Sequence, residues 1–421
     1  MSMKQPWREW FHDGELSLLA LLRWLLAGGL TGLACGLAGG AFSLALSFVT
    51  GARAAHPWLL LLLPAAGVAI VWSYRALDME NDSGTNQIIA SVRSGEKPRL
   101  RLAALIFAGT ALTHLTGGSA GREGAALQIG GALSAAIGRL LRLDERNMNL
   151  IVLCGMSALF TALFGTPLAA TVFSLEVVSV GILQYSALFP ALFASLVSLG
   201  VTRLMGVQAV EWTLAGAPAL GPLPLLEVGV LAALCGLLSI LFCLVMHGTA
   251  RLYQRLLPNR YLRVLAGGVL VVALSFIEGS GAYNGAGSAG IAAALAGRVD
   301  TPFAFLLKML FTALTLGAGF RGGEIVPTFF IGATFGCAVA PLLGLEPAFG
   351  AAVGLIALFC GVVNCPLASI LLSVELFGGG TLFFALACAL SYLLSGRFSL
   401  YSSQKLVYSK LEPRFIDASA R

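Results

Sequence analysis

Charged side chains are scarce in this sequence: 26 Lys and Arg and 20 Asp and Glu make up 11% of 421 residues. A soluble globular protein carries about a quarter. With 58% hydrophobic residues and a mean hydropathy of +0.89, there is too little polar surface to cover a water-soluble particle of this size. Soluble enzymes, nucleic-acid binders and disordered proteins are therefore poor starting points. Metal-ligand spacing is also lacking. Cys35, Cys154, Cys235, Cys243, Cys337, Cys360, Cys365 and Cys388 are scattered through apolar stretches, where they read as small core hydrophobes and not as zinc ligands or disulfides. No metal and no cofactor is implied. Nor do the apolar runs alternate as the strands of a barrel would. What is present is an all-α polytopic membrane protein, because a lipid-facing backbone must satisfy its own hydrogen bonds.

The net charge of +6 is modest. Arg99, Arg101, Arg139, Arg142, Arg146, Arg251, Arg255, Arg260, Arg263 and the tail residues Arg397, Lys405, Lys410 and Arg414 all flank apolar runs. They read as positive-inside anchors, not as a nucleic-acid patch. Residues 1–16 mix Lys4, Arg8, Asp13 and Glu15 with Trp7, Trp10 and Phe11, which predicts an interfacial amphipathic helix and no cleaved signal. Apolar runs follow from residues 17–50 to 380–395, and many are shorter than the ~20 residues of a full span. With 51 Gly and 16 Pro available as break points, short runs predict broken, tilted helices whose ends stop inside the protein. Gly28 with Gly32, and Gly36 with Gly40, are read as close-packing residues.

The chain repeats itself. Gly165-Thr-Pro-Leu-Ala-Ala-Thr-Val-Phe-Ser-Leu-Glu176 is similar to Asn364-Cys-Pro-Leu-Ala-Ser-Ile-Leu-Leu-Ser-Val-Glu375, and the offset between Pro167 and Pro366 equals that between Arg122 and Arg321. Two motif types at one offset predict two related halves: residues 17–206 and 224–395, with a linker over 207–223 and a short polar tail over 396–421. Paired Gly/Pro-interrupted segments in such halves point to a substrate site where the repeats meet.

Four constellations stand there. Gly117-Gly-Ser-Ala-Gly-Arg-Glu-Gly124 lies between apolar runs, and a helix beginning near Glu123 would aim its unpaired amides and positive dipole end at an anion. Glu123 could itself occupy that spot, with protonation releasing it; alternatively Arg122 and Glu123 are a loop pair at the membrane surface. Asp82-Ser-Gly-Thr-Asn-Gln-Ile88 offers the same physics, or an ordinary helix cap. Gly322-Gly-Glu-Ile-Val-Pro327 is a third helix start, with Pro in the first turn. Tyr401 follows the final span as an anion donor or an aromatic-belt anchor. Together they suit an anion held by backbone amides without a full positive charge, tightly enough to replace hydration and loosely enough to let it leave.

At these residues the sequence resembles the CLC family of chloride channels and anion/proton antiporters. Gly121-Arg122-Glu123-Gly124 matches the family's G-R-E-G signature, Gly323 to Pro327 its G-x-x-x-P segment, Gly84 to Ile88 its first filter segment, and Tyr401 its filter tyrosine. Motif order and spacing agree over roughly residues 18–405, nearly the whole chain. The resemblance implies a CLC-type fold of two inverted repeat halves, a homodimer in a lipid bilayer with one ion pathway per subunit, and both termini in the cytoplasm, hence a cell-membrane protein. It implies Glu123 as the gating and proton-transfer glutamate, and an anion held near Gly84, Thr85, Asn86, Glu324, Ile325 and Tyr401.

The departures sharpen the reading. Gly84-Thr-Asn-Gln-Ile88 lacks the proline of the ordinary first filter segment and is similar to the G-x-N-x-I pattern of the fluoride/proton branch, as is Thr113 to Gly124. Conventional antiporters carry an internal proton-transfer glutamate where this chain has Val177, and the fluoride branch manages without it. Thr85 and Val326 pull toward the chloride type. The resemblance thus implies fluoride export coupled to protons, with a chloride channel or chloride/proton antiporter as the alternative. Glu176 and Glu375 occupy matching repeat positions, which suits helix capping or a second proton path. His114 is a proton relay or a satisfied polar residue. An intramembrane enzyme built on Glu123, Glu324 and His114 would need clustered metal ligands or an activated nucleophile, and neither spacing is present.

Overall fold

The computed structural model describes residues 6–421, with side chains from Leu18 onward. The interfacial helix expected over residues 1–16 falls partly outside the described residues; from Pro6 the backbone is one helix running to Ala55. Among the described residues the chain forms sixteen α-helices, three 3-10 turns and three short strands. Seven helices are long and apolar enough to cross a membrane, and five shorter apolar helices of 10–17 residues accompany them. The chain is a multi-pass membrane protein. Its outer helices turn large hydrophobics outward, as Phe276 and Ile277 do, because the surrounding solvent is lipid.

The two halves use the same packing device. The helices Glu123–Leu140 and Glu145–Phe164 touch backbone to backbone at Gly130 and Gly155, where a methyl on either glycine would overlap the other's carbonyl. The helices Ile325–Val339 and Pro347–Val363 do the same at Gly332 and Gly354. Without a hydrophobic force between helices in lipid, small residues that let backbones approach are what hold such pairs. Each second helix then ends on a left-handed residue, Gly165 at φ 76° or Asn364 at φ 56°, and a proline opens the next short helix at Pro167 or Pro366. Pro supplies the helical φ and forgoes an amide that the first turn would leave unpaired anyway. Gly28, Gly32 and Gly36 serve the expected role, facing Pro190, Ala194 and Val201 of the Leu188–Leu204 helix, while Gly40 faces Met205 just beyond it.

Four elements departed from the sequence reading. The short helices Thr85–Ser91 and Ser288–Leu295 lie outside the apolar runs, since each is too short to show a span-length signal. The helix opened by Pro167 stops at Glu176, and Ser179–Val180 is a strand. The tail is folded: Lys405–Tyr408 pairs in parallel with Ser179–Val180 and antiparallel with Phe415–Ser419. Lys410 fastens it, its ammonium donating to the Tyr392 carbonyl (2.8 Å), Ser395 Oγ (2.8 Å) and Asn364 Oδ1 at the ends of two helices. Cations suit helix C-termini because the last carbonyls carry the negative end of the dipole. All eight cysteines are buried and free.

Candidate functional site

Two helix starts meet at Glu123. The loop Gly117–Arg122 drops into the interior and pairs with the second half through a two-residue bridge, Gly121 N–H to Gly323 O at 2.7 Å and Gly323 N–H to Gly121 O at 2.9 Å. From this bridge two helices start, one at Glu123 and one at Ile325. Their first-turn amides have no helical acceptor, so each start is a ready anion seat.

The Glu123 side chain sits in that seat. The residue is fully buried, and its Oε2 accepts from the amides of Arg122 (3.0 Å) and Val326 (3.2 Å). A carboxylate reaching across from one half thus takes the amide of the helix start in the other. The seat is tight because its walls are glycine. A methyl at Gly323 would stand 2.5 Å from Gly124 N and 3.0 Å from Glu123 Oε2, and one at Gly121 would overlap that same oxygen. Glu123 Oε1 has no partner among the described residues.

Burial excludes the loop-pair alternative for Arg122 and Glu123. The Arg122 guanidinium points away from the carboxylate, donating to the Leu163 carbonyl at 3.1 Å beside the Phe164 ring. It thereby satisfies the C-terminal end of the Glu145–Phe164 helix.

Below the seat lies a cleft of about 960 Å³. Gly84, Thr85, Asn86, Glu324 and Tyr401, all named from the sequence, line it together. Thr85 opens its short helix behind Gly84, whose φ of 66° favours glycine, and its hydroxyl lies 3.4 Å from the Gly124 carbonyl. Asn86 ties the structure: its Oδ1 accepts from the Ser403 amide at 2.9 Å and so holds the loop that carries Tyr401. Tyr401 is 1% exposed, which removes it from any aromatic belt, and its hydroxyl has no partner among the described residues. Glu324 Oε2 is likewise without one. Ile325 is buried at the helix start, and Pro327 packs against Gly121.

Two groups escaped the sequence reading. Gln128, also lining the cleft, donates to the Gly124 carbonyl at 3.0 Å and leaves Oε1 unpartnered among the described residues; its only sequence signal was its place little more than one turn beyond Glu123. Val326, weighed in the sequence only as a filter residue, supplies the amide that the Glu123 carboxylate takes. His114 is buried with Nδ1 2.9 Å from the Thr110 carbonyl, the geometry of a satisfied polar residue.

Glu176 and Glu375 lie away from the seat and exchange roles across the repeats. Glu176 accepts from Leu367 N (3.2 Å) and Ala368 N (2.9 Å), and Glu375 from Leu168 N (3.0 Å) and Ala169 N (2.8 Å). Each half carries, in the last turn of a helix, the carboxylate that caps its counterpart's first turn. Among the described residues no cluster of potential metal ligands occurs.

Comparison with known proteins agrees with this geometry. The family model "Voltage gated chloride channel" matches residues 66–396. A "Chloride/fluoride channel protein" of Pseudomonas syringae pv. tomato is 37% identical over 405 residues, covering 94% of this chain and 89% of that protein. A "Putative chloride channel protein ClcB-like" of Ralstonia nicotianae is 27% identical over 85% of this chain and 83% of its own. Among solved structures, a CLC-type fluoride/proton antiporter superposes with a TM-score of 0.88 at 32% identity, covering 91% of this chain and 98% of its own. A slow cyanobacterial Cl−/H+ antiporter superposes at 0.76 with 22% identity, covering 89% and 94%, which speaks to the fold alone. Fold and kinship coincide over nearly the whole chain, so it belongs to the CLC family of voltage-gated chloride channels and anion/proton antiporters, which move anions across membranes and are not enzymes.

Proposed function

We propose that this chain exports fluoride in exchange for protons, with Glu123 as both gate and proton carrier. The observation that carries the reading is the Glu123 carboxylate resting on the Val326 amide. An anion and this carboxylate compete for one pair of helix-start donors. While charged, Glu123 holds the amides of Arg122 and Val326 and closes the path. On protonation its oxygen becomes a weaker acceptor, the side chain leaves, and an anion from the cleft takes the amides. Backbone dipoles attract the ion without trapping it as a lysine or arginine would.

The unpartnered hydroxyl of Tyr401 serves as a further donor on the cleft side. Glu324, which stands immediately before the helix start and faces the cleft, is the group best placed to pass protons in a chain with valine at position 177. Gly84, Thr85 and Asn86 shape the wall of the anion path. Fluoride is favoured by the proline-free first filter segment, the valine at 177 and the similarity to a fluoride/proton antiporter at 32% identity. The protein is proposed to work as a homodimer in the cell membrane, with both termini and the arginine-rich mouth of the cleft facing the cytoplasm.

Proteoliposomes test this. The wild type should take up protons when fluoride is driven out, and Glu123→Gln should abolish that proton movement while the protein remains folded. Coupling retained at the wild-type ratio in Glu123→Gln would sink the gate assignment. A second reading, a chloride channel or chloride/proton antiporter, is favoured by the Thr85 hydroxyl, directed at the Gly124 carbonyl in the filter wall. Fluoride and chloride efflux from one preparation separate the two.

A further inference from the structure

Arg321 and Arg122 occupy matching repeat positions, yet their guanidinium groups do different things. Arg122 satisfies a helix end. Arg321 reaches the other filter segment: its Nη1 donates to Asp82 Oδ2 at 3.0 Å. The second Asp82 oxygen accepts from the Gly84 amide at 3.1 Å, one residue before Thr85. The Asp82 side chain is 0% exposed and that of Arg321 20%. Arg321 is locked in place on both sides. Its guanidinium carbon lies 3.9 Å from the centre of the Tyr74 ring, and its stem rests on Gly109, where a methyl would stand 3.1 Å from Cγ. Immediately after Arg321 come Gly322 and Gly323, the latter bridged to Gly121 beneath the gate. One ion pair thus joins the loop that opens the first filter segment to the loop that opens the second, and both partners line the cleft.

A guanidinium beside an ion path has two consequences. Charge-assisted pairing fixes geometry, because the planar fork and the carboxylate match. An uncompensated cation in a partly desolvated cleft would also hold a small anion too strongly for it to leave. We propose that Asp82 and Arg321 form a positioning and charge-balancing clasp: the pair holds the two filter segments in register and cancels the guanidinium that adjoins them, setting how tightly the cleft holds its anion. The remaining ionisable groups facing the cleft, His247, Arg251, Arg263, Arg421, Tyr401 and Glu324, carry no salt bridge to this pair. The inference rests on the cleft being the anion path.

The two single variants should move anion affinity in opposite directions, which a merely structural pair would not do. In liposomes, Asp82→Asn should lower the half-saturating anion concentration about tenfold and slow the maximal rate, since a coupling of this kind is typically 5- to 150-fold. Arg321→Gln, which strands a buried carboxylate, should raise the half-saturating concentration about tenfold. The double variant Asp82→Asn with Arg321→Gln should return to within about threefold of wild type, because both charges are gone. If a single variant does not fold, Asp82→Glu and Arg321→Lys keep the charges and change the reach. They should lose thermal stability while keeping half-saturation within about threefold of wild type. Shifts of Asp82→Asn and Arg321→Gln in the same direction, or a loss of thermal stability in those two variants with half-saturation unmoved, would overturn the clasp while leaving wild-type transport intact. A wild type that carries neither fluoride nor chloride would overturn the anion-path reading, and the clasp with it.

Discussion

Glu176 and Glu375 offer a sharp test of whether a buried acid in a transporter is part of the chemistry or part of the frame. Each carboxylate accepts two backbone amides at the first turn of a helix in the other half, at 2.8 to 3.2 Å. A hydrogen bond to a charged group contributes about 1.5–3 kcal/mol, and a negative charge at a helix N-terminus adds about 0.3–2 kcal/mol. Glutamine keeps one acceptor oxygen, loses the charge and turns an NH2 donor toward the second amide. Glu176→Gln should therefore destabilise the protein by about 2–4 kcal/mol, since the residue is only 7% exposed. Glu375→Gln should cost about 1–2 kcal/mol, because Glu375 is half-buried and water softens the loss. Thermal unfolding in detergent measures the first effect, and proton-to-anion flux ratios in liposomes measure the second. The expected outcome is a lowered unfolding midpoint with an unchanged ratio. Abolished proton flux at wild-type stability would refute the capping assignment and make Glu176 a proton-transfer group.

Three further outcomes follow from the same geometry. Gly121→Ala should push Glu123 out of its seat at a cost of about 1–3 kcal/mol, the usual range for overpacking; liposome assays should then show anion flux continuing with weakened proton coupling. Tyr401→Phe should change thermal stability by less than about 0.5 kcal/mol, because the hydroxyl has no hydrogen-bond partner among the described residues. Anion affinity should fall all the same, and a large loss of stability would instead make the hydroxyl structural. Lys410→Met should loosen the tail, since it removes donors to Tyr392, Ser395 and Asn364. Limited proteolysis within residues 409–421 should accelerate while the membrane-embedded part stays intact.

Much of the site was legible because its chemistry is local. A glycine just ahead of a helix is a local signal, and Gly84, Gly121 and Gly323 mark three such starts without reference to any partner. Asn86 and Gln128 show where that legibility stops. The ordinary amide side chain of Asn86 binds the Ser403 amide, and the short helix that carries it falls outside every apolar run. Gln128 looks like any helical glutamine until the cleft is formed around it. The tail was unreadable for the same reason: its strands are short, and half of their partners lie at residues 179–180.

Composition alone determined the solvent, since a chain with 11% charged residues can fold only where lipid covers most of its surface. The doubled motifs predicted two related halves and named residues to stand at their breaks. Tertiary structure decided what those residues face. Whether Glu123 points to water or to the Val326 amide, whether Glu176 carries a proton or caps a helix, and whether Arg321 is a free cation or the partner of Asp82 all depend on contacts between residues far apart in the chain. A sequence fixes the donor or acceptor that each residue brings. Only packing brings the opposite group within 3 Å and excludes the water that would otherwise compete for it.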